Sequence, residues 1–181
     1  MILNSLRPGA DIVRDPLGFD PATASFGAYR SMIDTIPIGL GFLNTAIVLV
    51  GRGAITMVFC PLAGYGFAKY SFRGKRVLFA VLLVTLMMPT LALIIPLLLE
   101  MGTLGWVNTY QALILPGSIE AFSVFWMRQV IENVPDDLLD AARIDGCSEL
   151  GIFTRIIVPV IRPGLAALAV LTFINVYNDF V

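Results

Sequence analysis

No histidine occurs among the 181 residues. The commonest general base and the commonest metal ligand are therefore missing. Charge is scarce too: Asp, Glu, Lys and Arg make up 14% of the chain, against roughly 25% in ordinary soluble domains. A formal net charge of −1 leaves no bulk basic field of the kind that nucleic-acid binding needs. The two cysteines, Cys60 and Cys147, lie far apart in sequence. They make no metal-spaced cluster and suggest no disulfide framework. A nucleophile elbow and a glycine-rich phosphate loop are also lacking. The one glycine-rich stretch, Leu62 to Phe67, sits inside a hydrophobic run. No catalytic residue and no metal site is assigned. What remains is hydrophobicity: 57% of residues and a mean hydropathy of +0.85. A disordered chain needs the opposite balance. The fold class expected is all-α, a polytopic transmembrane helical bundle in the cell membrane.

Four hydrophobic segments are expected to span, at about 42–68, 77–99, 109–131 and 163–181. The clearest is Val77 to Leu99, uncharged between Arg76 and Glu100. Its 23 residues reach roughly 34 Å as a helix, enough for a hydrocarbon core of about 30 Å. Pro89 and Pro96 lie inside it, breaks that membrane helices tolerate where neighbours or water satisfy the freed backbone. Arg52 interrupts the first segment. Pro116, Gly117 and Glu120 weaken the third. Basic residues in short loops set orientation. Lys69, Arg73, Lys75 and Arg76 follow the first span without an acid between them, which places that connection in the cytoplasm. Glu100 to Asn108 has no Lys or Arg and falls outside, with Trp106 and Tyr110 as interfacial anchors. Residues 1–41 are then an extracytoplasmic N-terminal segment. A multi-span chain that starts outside implies a further span upstream, and the last segment, cut at Val181, implies a partial chain.

The connection from Arg128 to Arg162 is long for a turn between spans, and its pattern is amphipathic. Asn133 is read as the N-cap of a short helix, with Pro135 in its first turn. Asp136 and Asp137 complement the helix dipole. Leu138, Leu139 and Ala142 form an apolar stripe. Gly146 ends the helix in the left-handed conformation. Ser148 caps a second helix carrying Ile152, Phe153, Ile156 and Ile157 on one side, and Pro159 and Pro163 restart the chain into the last span. Two readings stay open on pattern alone: a shape that docks into a partner's cleft, and a loop lying on the protein's own surface.

The run Asp140-Ala-Ala-Arg-Ile-Asp-Gly146, then Phe153, Ile156-Ile-Val-Pro159 and Pro163, resembles the "EAA" loop of ABC-importer permeases. It is most similar to carbohydrate permeases of the maltose and glycerol-phosphate type. Leu43-Asn44-Thr45, the stretch Ala63 to Lys69 with Phe72 to Lys75, Met88-Pro89, Ile95-Pro96 and the stretch Phe173 to Phe180 resemble further motifs of that family. Four positions depart from it: Asp140 stands for Glu, Cys147 for Ala, Tyr177 for Trp, and Arg52 for a small or apolar residue. The family's six core spans contrast with about three and a half here.

The resemblance implies an inner-membrane permease subunit with a cytoplasmic coupling loop at about 132–162. In that family the loop docks on a cytoplasmic ATPase dimer. Asp140 would pair there with a basic residue, with Ala141 and Ala142 leaving room for approach. Gly146 would set the interhelix angle, while Ile152, Phe153 and Pro159 shape the loop. Asp145 would touch the partner or cap locally. A second permease subunit, an extracytoplasmic solute-binding protein and the lipid bilayer complete the expected partners, with no nucleic acid. No cofactor is expected on this chain; ATP and Mg belong to the ATPase. Arg52, Tyr177 and Asn178 are candidates for the translocation path. The alternatives for Arg52 are snorkelling and a pair with Glu120. The competing functions are a secondary transporter or channel subunit, and a truncated fragment that does not transport.

Overall fold

The computed structural model describes Leu6, residues 25–35 and residues 37–179. Most of the expected N-terminal segment and the final Phe180 and Val181 lie outside the described residues. The chain divides into two compact units, 1–44 and 45–181. The described residues are helical, without a strand: α1 (Gly27–Thr35), α2 (Ile38–Lys69), α3 (Lys75–Leu86), α4 (Thr90–Thr103), α5 (Tyr110–Ile114), α6 (Ala121–Glu132), α7 (Asp136–Ile144), α8 (Glu149–Ile152), a π-helical turn (Phe153–Ile157), α9 (Val158–Val160) and α10 (Arg162–Tyr177).

Of these, α2 alone is a single helix long and apolar enough to cross a membrane. It begins four residues before the expected 42–68 segment and runs straight through Pro61. The stretch expected as one span over 77–99 is instead two helices, α3 and α4, bent by 105°. The chain breaks at Pro89, which has an extended backbone (φ −66°, ψ 125°). Proline lacks the N–H of the helical ladder and pushes its predecessor out of the α region. Pro96, by contrast, stays inside α4. The 109–131 segment is likewise divided, into α5 and α6, by Leu115–Glu120, where Pro116 and Gly117 sit. The segment from α8 through α9 meets α10 at 79°. By length and composition alone, each of the bent pairs α3–α4 and α8/α9–α10 suits a broken span or a re-entrant loop.

The core of the second unit lies where α6 packs against α2 and the loop helices close the end. Met127 and Ile131 of α6, Cys60 of α2, and Ile152 and Ile157 of the loop are fully buried there, with Leu139 and Leu168 beside them. Small residues let membrane helices approach closely, and Gly64 does so here. A Cβ on it would lie 2.8 Å from the Arg128 amide nitrogen and 2.9 Å from Met127 Cβ. The outer faces of α3 and α4 carry Val77, Val81, Val84, Leu91, Ile95 and Leu99, all exposed. Apolar surface on this scale is foreign to a soluble monomer.

Candidate functional site

Two polar constructions stand out in this apolar frame. The first is the loop between α6 and α10. Asn133 does not begin α7, as its type suggests; it closes α6, donating from Nδ2 to Gln129 O at 2.8 Å. α7 starts after Pro135, with Asp136 and Asp137 in its first turn and Arg143 in its last, the charge order that suits a helix dipole. It ends as the glycine required. Gly146 has φ 80°. Its N–H donates to Arg143 O, and the Cys147 N–H reaches back to Ala142 O, both at 3.0 Å, the double closure of a Schellman motif. Ser148 Oγ then accepts from the Gly151 N–H at 3.2 Å and caps α8. Replacing Gly146 by valine forces a β-branched residue into the left-handed region, at a cost of about 1–3 kcal/mol. The expected order of melting temperatures for purified protein is Gly146, then Gly146→Asn, then Gly146→Val. Equal melting of all three would show that the turn does not depend on this conformation.

Leu139 and Ala142 face the core, whereas Leu138 is half exposed. Ile152 and Phe153 are buried, and the Phe153 ring lies 5.5 Å from that of Tyr65. Ala141, Asp145 and Gly146 face solvent, and Pro159 is partly covered. The Asp140 side chain is 65% exposed and accepts from Arg143 Nη1 at 2.8 Å. Ile144, 86% exposed, and Leu150 lie bare on the same loop. One side of the loop thus packs on the protein's own core, while Asp140, Ile144 and Leu150 are exposed.

A polar network absent from any local spacing fastens the loop to α2. Glu149 accepts from Arg143 Nε at 2.9 Å, from the Tyr65 hydroxyl at 3.2 Å, and from the Tyr70 hydroxyl. The Arg143 guanidinium, and after it the Tyr70 hydroxyl, pull the Glu149 carboxyl down to about 2. Burial, reinforced by Glu149, raises the Tyr70 hydroxyl. Because the Glu149 carboxyl is depressed, its ionic tie is complete above its ordinary range near 4.5 and disappears as pH falls toward 2. At the other end of α7, Lys69 Nζ donates to Val134 O at 2.5 Å and to Asp136 Oδ1 at 2.7 Å. That contact holds the Asp136 carboxyl below the usual carboxylate range.

The second construction surrounds Arg52, which is 9% exposed. Its Nε donates to Gly117 O at 2.6 Å, Nη2 to Glu120 Oε1 at 2.6 Å, and Nη1 to Asp179 Oδ2 at 2.9 Å. One turn along α2, Thr56 Oγ1 donates to Ser118 O at 2.6 Å. The physical logic is direct. The interruption between α5 and α6 frees backbone carbonyls that nothing in an apolar interior would satisfy. Arg52 and Thr56 supply the donors. The pair with Glu120 is one of the sequence alternatives for Arg52; the bond to Asp179, 127 positions away, has no local signal in the sequence. Of the other path candidates, Asn178 donates from Nδ2 to Ile174 O at 2.8 Å and closes α10. Tyr177 is exposed and stacks on Phe173, ring centroids 5.8 Å apart.

Residues 61–181 match the family described as the binding-protein-dependent transport system inner membrane component. The chain is 37% identical to the arabinooligosaccharides transport system permease protein AraQ of Halalkalibacterium halodurans, over 99% of this chain and 66% of that protein. It is also 37% identical to the lactose transport system permease protein LacG of Rhizobium radiobacter, over 99% and 65%. A crystal structure of a bacterial ABC transporter involved in the import of the acidic polysaccharide alginate superposes with a TM-score of 0.83 at 26% identity, covering 98% of this chain and 63% of that one. The chain spans about two thirds of the length of these relatives. It belongs to the family of inner membrane components of binding-protein-dependent transport systems.

Proposed function

We propose that this chain is part of the membrane-spanning region of a permease subunit in an ATP-driven importer of carbohydrate or a related solute. The observation that carries the reading is the loop. It is a capped helix–glycine–helix hinge with one face packed on the core and Asp140, Ile144 and Leu150 exposed. A secondary carrier or channel has no use for such an element, whereas an importer powered from outside the membrane needs one. The relatives named as permeases for arabinooligosaccharides and lactose support a carbohydrate.

In this reading ATP is hydrolysed on a separate cytoplasmic ATPase dimer, which receives the loop and takes Asp140 as its ionic partner. A second permease subunit completes the pore, and an extracytoplasmic solute-binding protein delivers the solute. Closure of the ATPase displaces the loop, and the bundle alternates between inward- and outward-facing states. Arg52, with Glu120 and Asp179, forms a polar wall of the path. The carboxylates are only partly covered, with side chains 38% and 44% exposed, and such groups in a spanning region mark a pathway more often than a lipid face. Tyr177, two residues before Asp179, adds an exposed ring to this reading.

Cys147 provides the test. It is a free, partly covered thiol immediately after Gly146, while Cys60 is fully buried. Right-side-out and inside-out vesicles holding the full-length subunit are treated with a membrane-impermeant thiol reagent, with and without the ATPase. Cys147 is expected to label only in inside-out vesicles and to be protected by the ATPase. Labelling from the outside overturns the topology. Inside labelling that a bound ATPase leaves unchanged overturns docking.

A further inference from the structure

We infer that Glu149 is the positioning residue that fastens the loop to α2, so that displacing the loop moves α2 with it, although α2 is not continuous with the loop in the chain. The inference rests on the importer reading and adds to it the element that receives the motion. Glu149 stands at the start of α8, yet two of its three donors, Tyr65 and Tyr70, come from the end of α2 and the residue following it. The third, Arg143, comes from α7 and holds Asp140 with its other arm. One carboxylate therefore joins both loop helices to α2.

Directional bonds to a charged acceptor are stronger than neutral ones and resist sliding, which apolar packing alone does not. The rings add shape to the joint. Tyr65 sits edge-on to Tyr70 at 5.4 Å and against Phe153 at 5.5 Å. Lys69 makes a second attachment at the opposite end of α7, to Val134 O and Asp136. With both ends of α7 tied to the last turns of α2, the loop cannot shift as a body and leave that helix behind. Its motion arrives at Arg52, roughly 25 Å further along the helix axis. The arrangement also suits Asp140 to changing partners. A cation that takes Asp140 away leaves Arg143 still paired with Glu149, so no guanidinium is stranded.

The experiment uses the complete transporter in proteoliposomes, with Cys147→Ser and a bimane fluorophore on Val58→Cys, an exposed position of α2. The probe is ATP with vanadate, which traps the closed ATPase without requiring a known solute. In this background a shift in bimane emission is expected. Glu149→Gln is expected to keep the ATPase bound and hydrolysing ATP while the shift falls roughly tenfold, within the usual range of coupling between sites. Tyr65→Phe with Tyr70→Phe removes only hydroxyls, keeps the rings and gives the same loss. A full shift in both variants overturns the role of Glu149. Retained ATPase binding with no shift in the parent protein overturns the assignment of α2 and leaves the importer reading standing. Failure of the parent protein to bind the ATPase overturns the importer reading itself, and this inference with it.

Discussion

Arg52→Met is expected to remove most of the folded protein from the membrane, and Arg52→Met with Glu120→Gln and Asp179→Asn to bring much of it back. The single change strands two carboxylates and the Gly117 carbonyl at once. Breaking a fully buried pair from one side costs about 3–5 kcal/mol; here both carboxylates keep partial access to solvent, so the loss lies below that range, with the unsatisfied Gly117 carbonyl adding to it. Folded proteins are stable by only about 5–15 kcal/mol in total. The triple variant removes the charges along with their partner, and amides tolerate burial better than carboxylates do. Arg52→Lys should fall between them, since a point charge cannot present a planar fork to three acceptors. The monodisperse peak of a fluorescent fusion on size exclusion, relative to total protein, reads all three. A triple variant no more abundant than the single one would mean that charge neutrality is not what the cluster provides. If abundance returns and uptake does not, the cluster of Arg52, Glu120 and Asp179 belongs to the path as well as to the fold.

Asp140→Lys should have the opposite profile: normal abundance and loss of the ATPase. Asp140 is exposed, and its bond within the chain is a helix-surface contact with Arg143, of a kind that contributes little to folding. A docking cleft that supplies a cation would instead meet a second cation. Like charges across an interface cost far more there than on a free surface, because both lose water. Co-purification of the ATPase with the membrane subunits is expected to drop to background, and an acid placed at the opposing basic position of the ATPase to restore it. Full recruitment by Asp140→Lys would assign that residue to the local pair alone.

What the sequence made legible was local. The hydrophobic runs, the left-handed Gly146, the Ser148 cap and the acidic start of α7 each depend on residues within one or two turns. Such patterns survive into the fold because their partners are fixed by spacing. Asn133 shows the limit of that rule: its type suits either end of a helix, and the neighbouring α6 claimed it. Pro89 and Pro96 show another. The same residue in the same apolar run breaks the helix once and passes unnoticed once, and the choice depends on what surrounds the freed backbone. The tie between Glu149 and α2 crosses 79 and 84 positions, and the Arg52 cluster crosses up to 127. No periodicity carries partners that far. The α5–α6 interruption did leave a trace, in Pro116, Gly117 and Glu120, but not the identity of the donors that stabilise it.

The Arg52 cluster also sets a timetable for synthesis. Glu120 follows Arg52 by 68 positions and Asp179 by 127. At about 5–20 residues per second, the first partner emerges roughly 3–14 s after the arginine and the second roughly 6–25 s after. Throughout that wait α2 carries an unneutralised cation near its middle. An arginine at the centre of a spanning helix costs about 2.5–3.5 kcal/mol on insertion scales, so release of α2 into the bilayer is disfavoured until Glu120 arrives at the start of α6. A single buried arginine thus ties the settling of its own helix to the later arrival of α6.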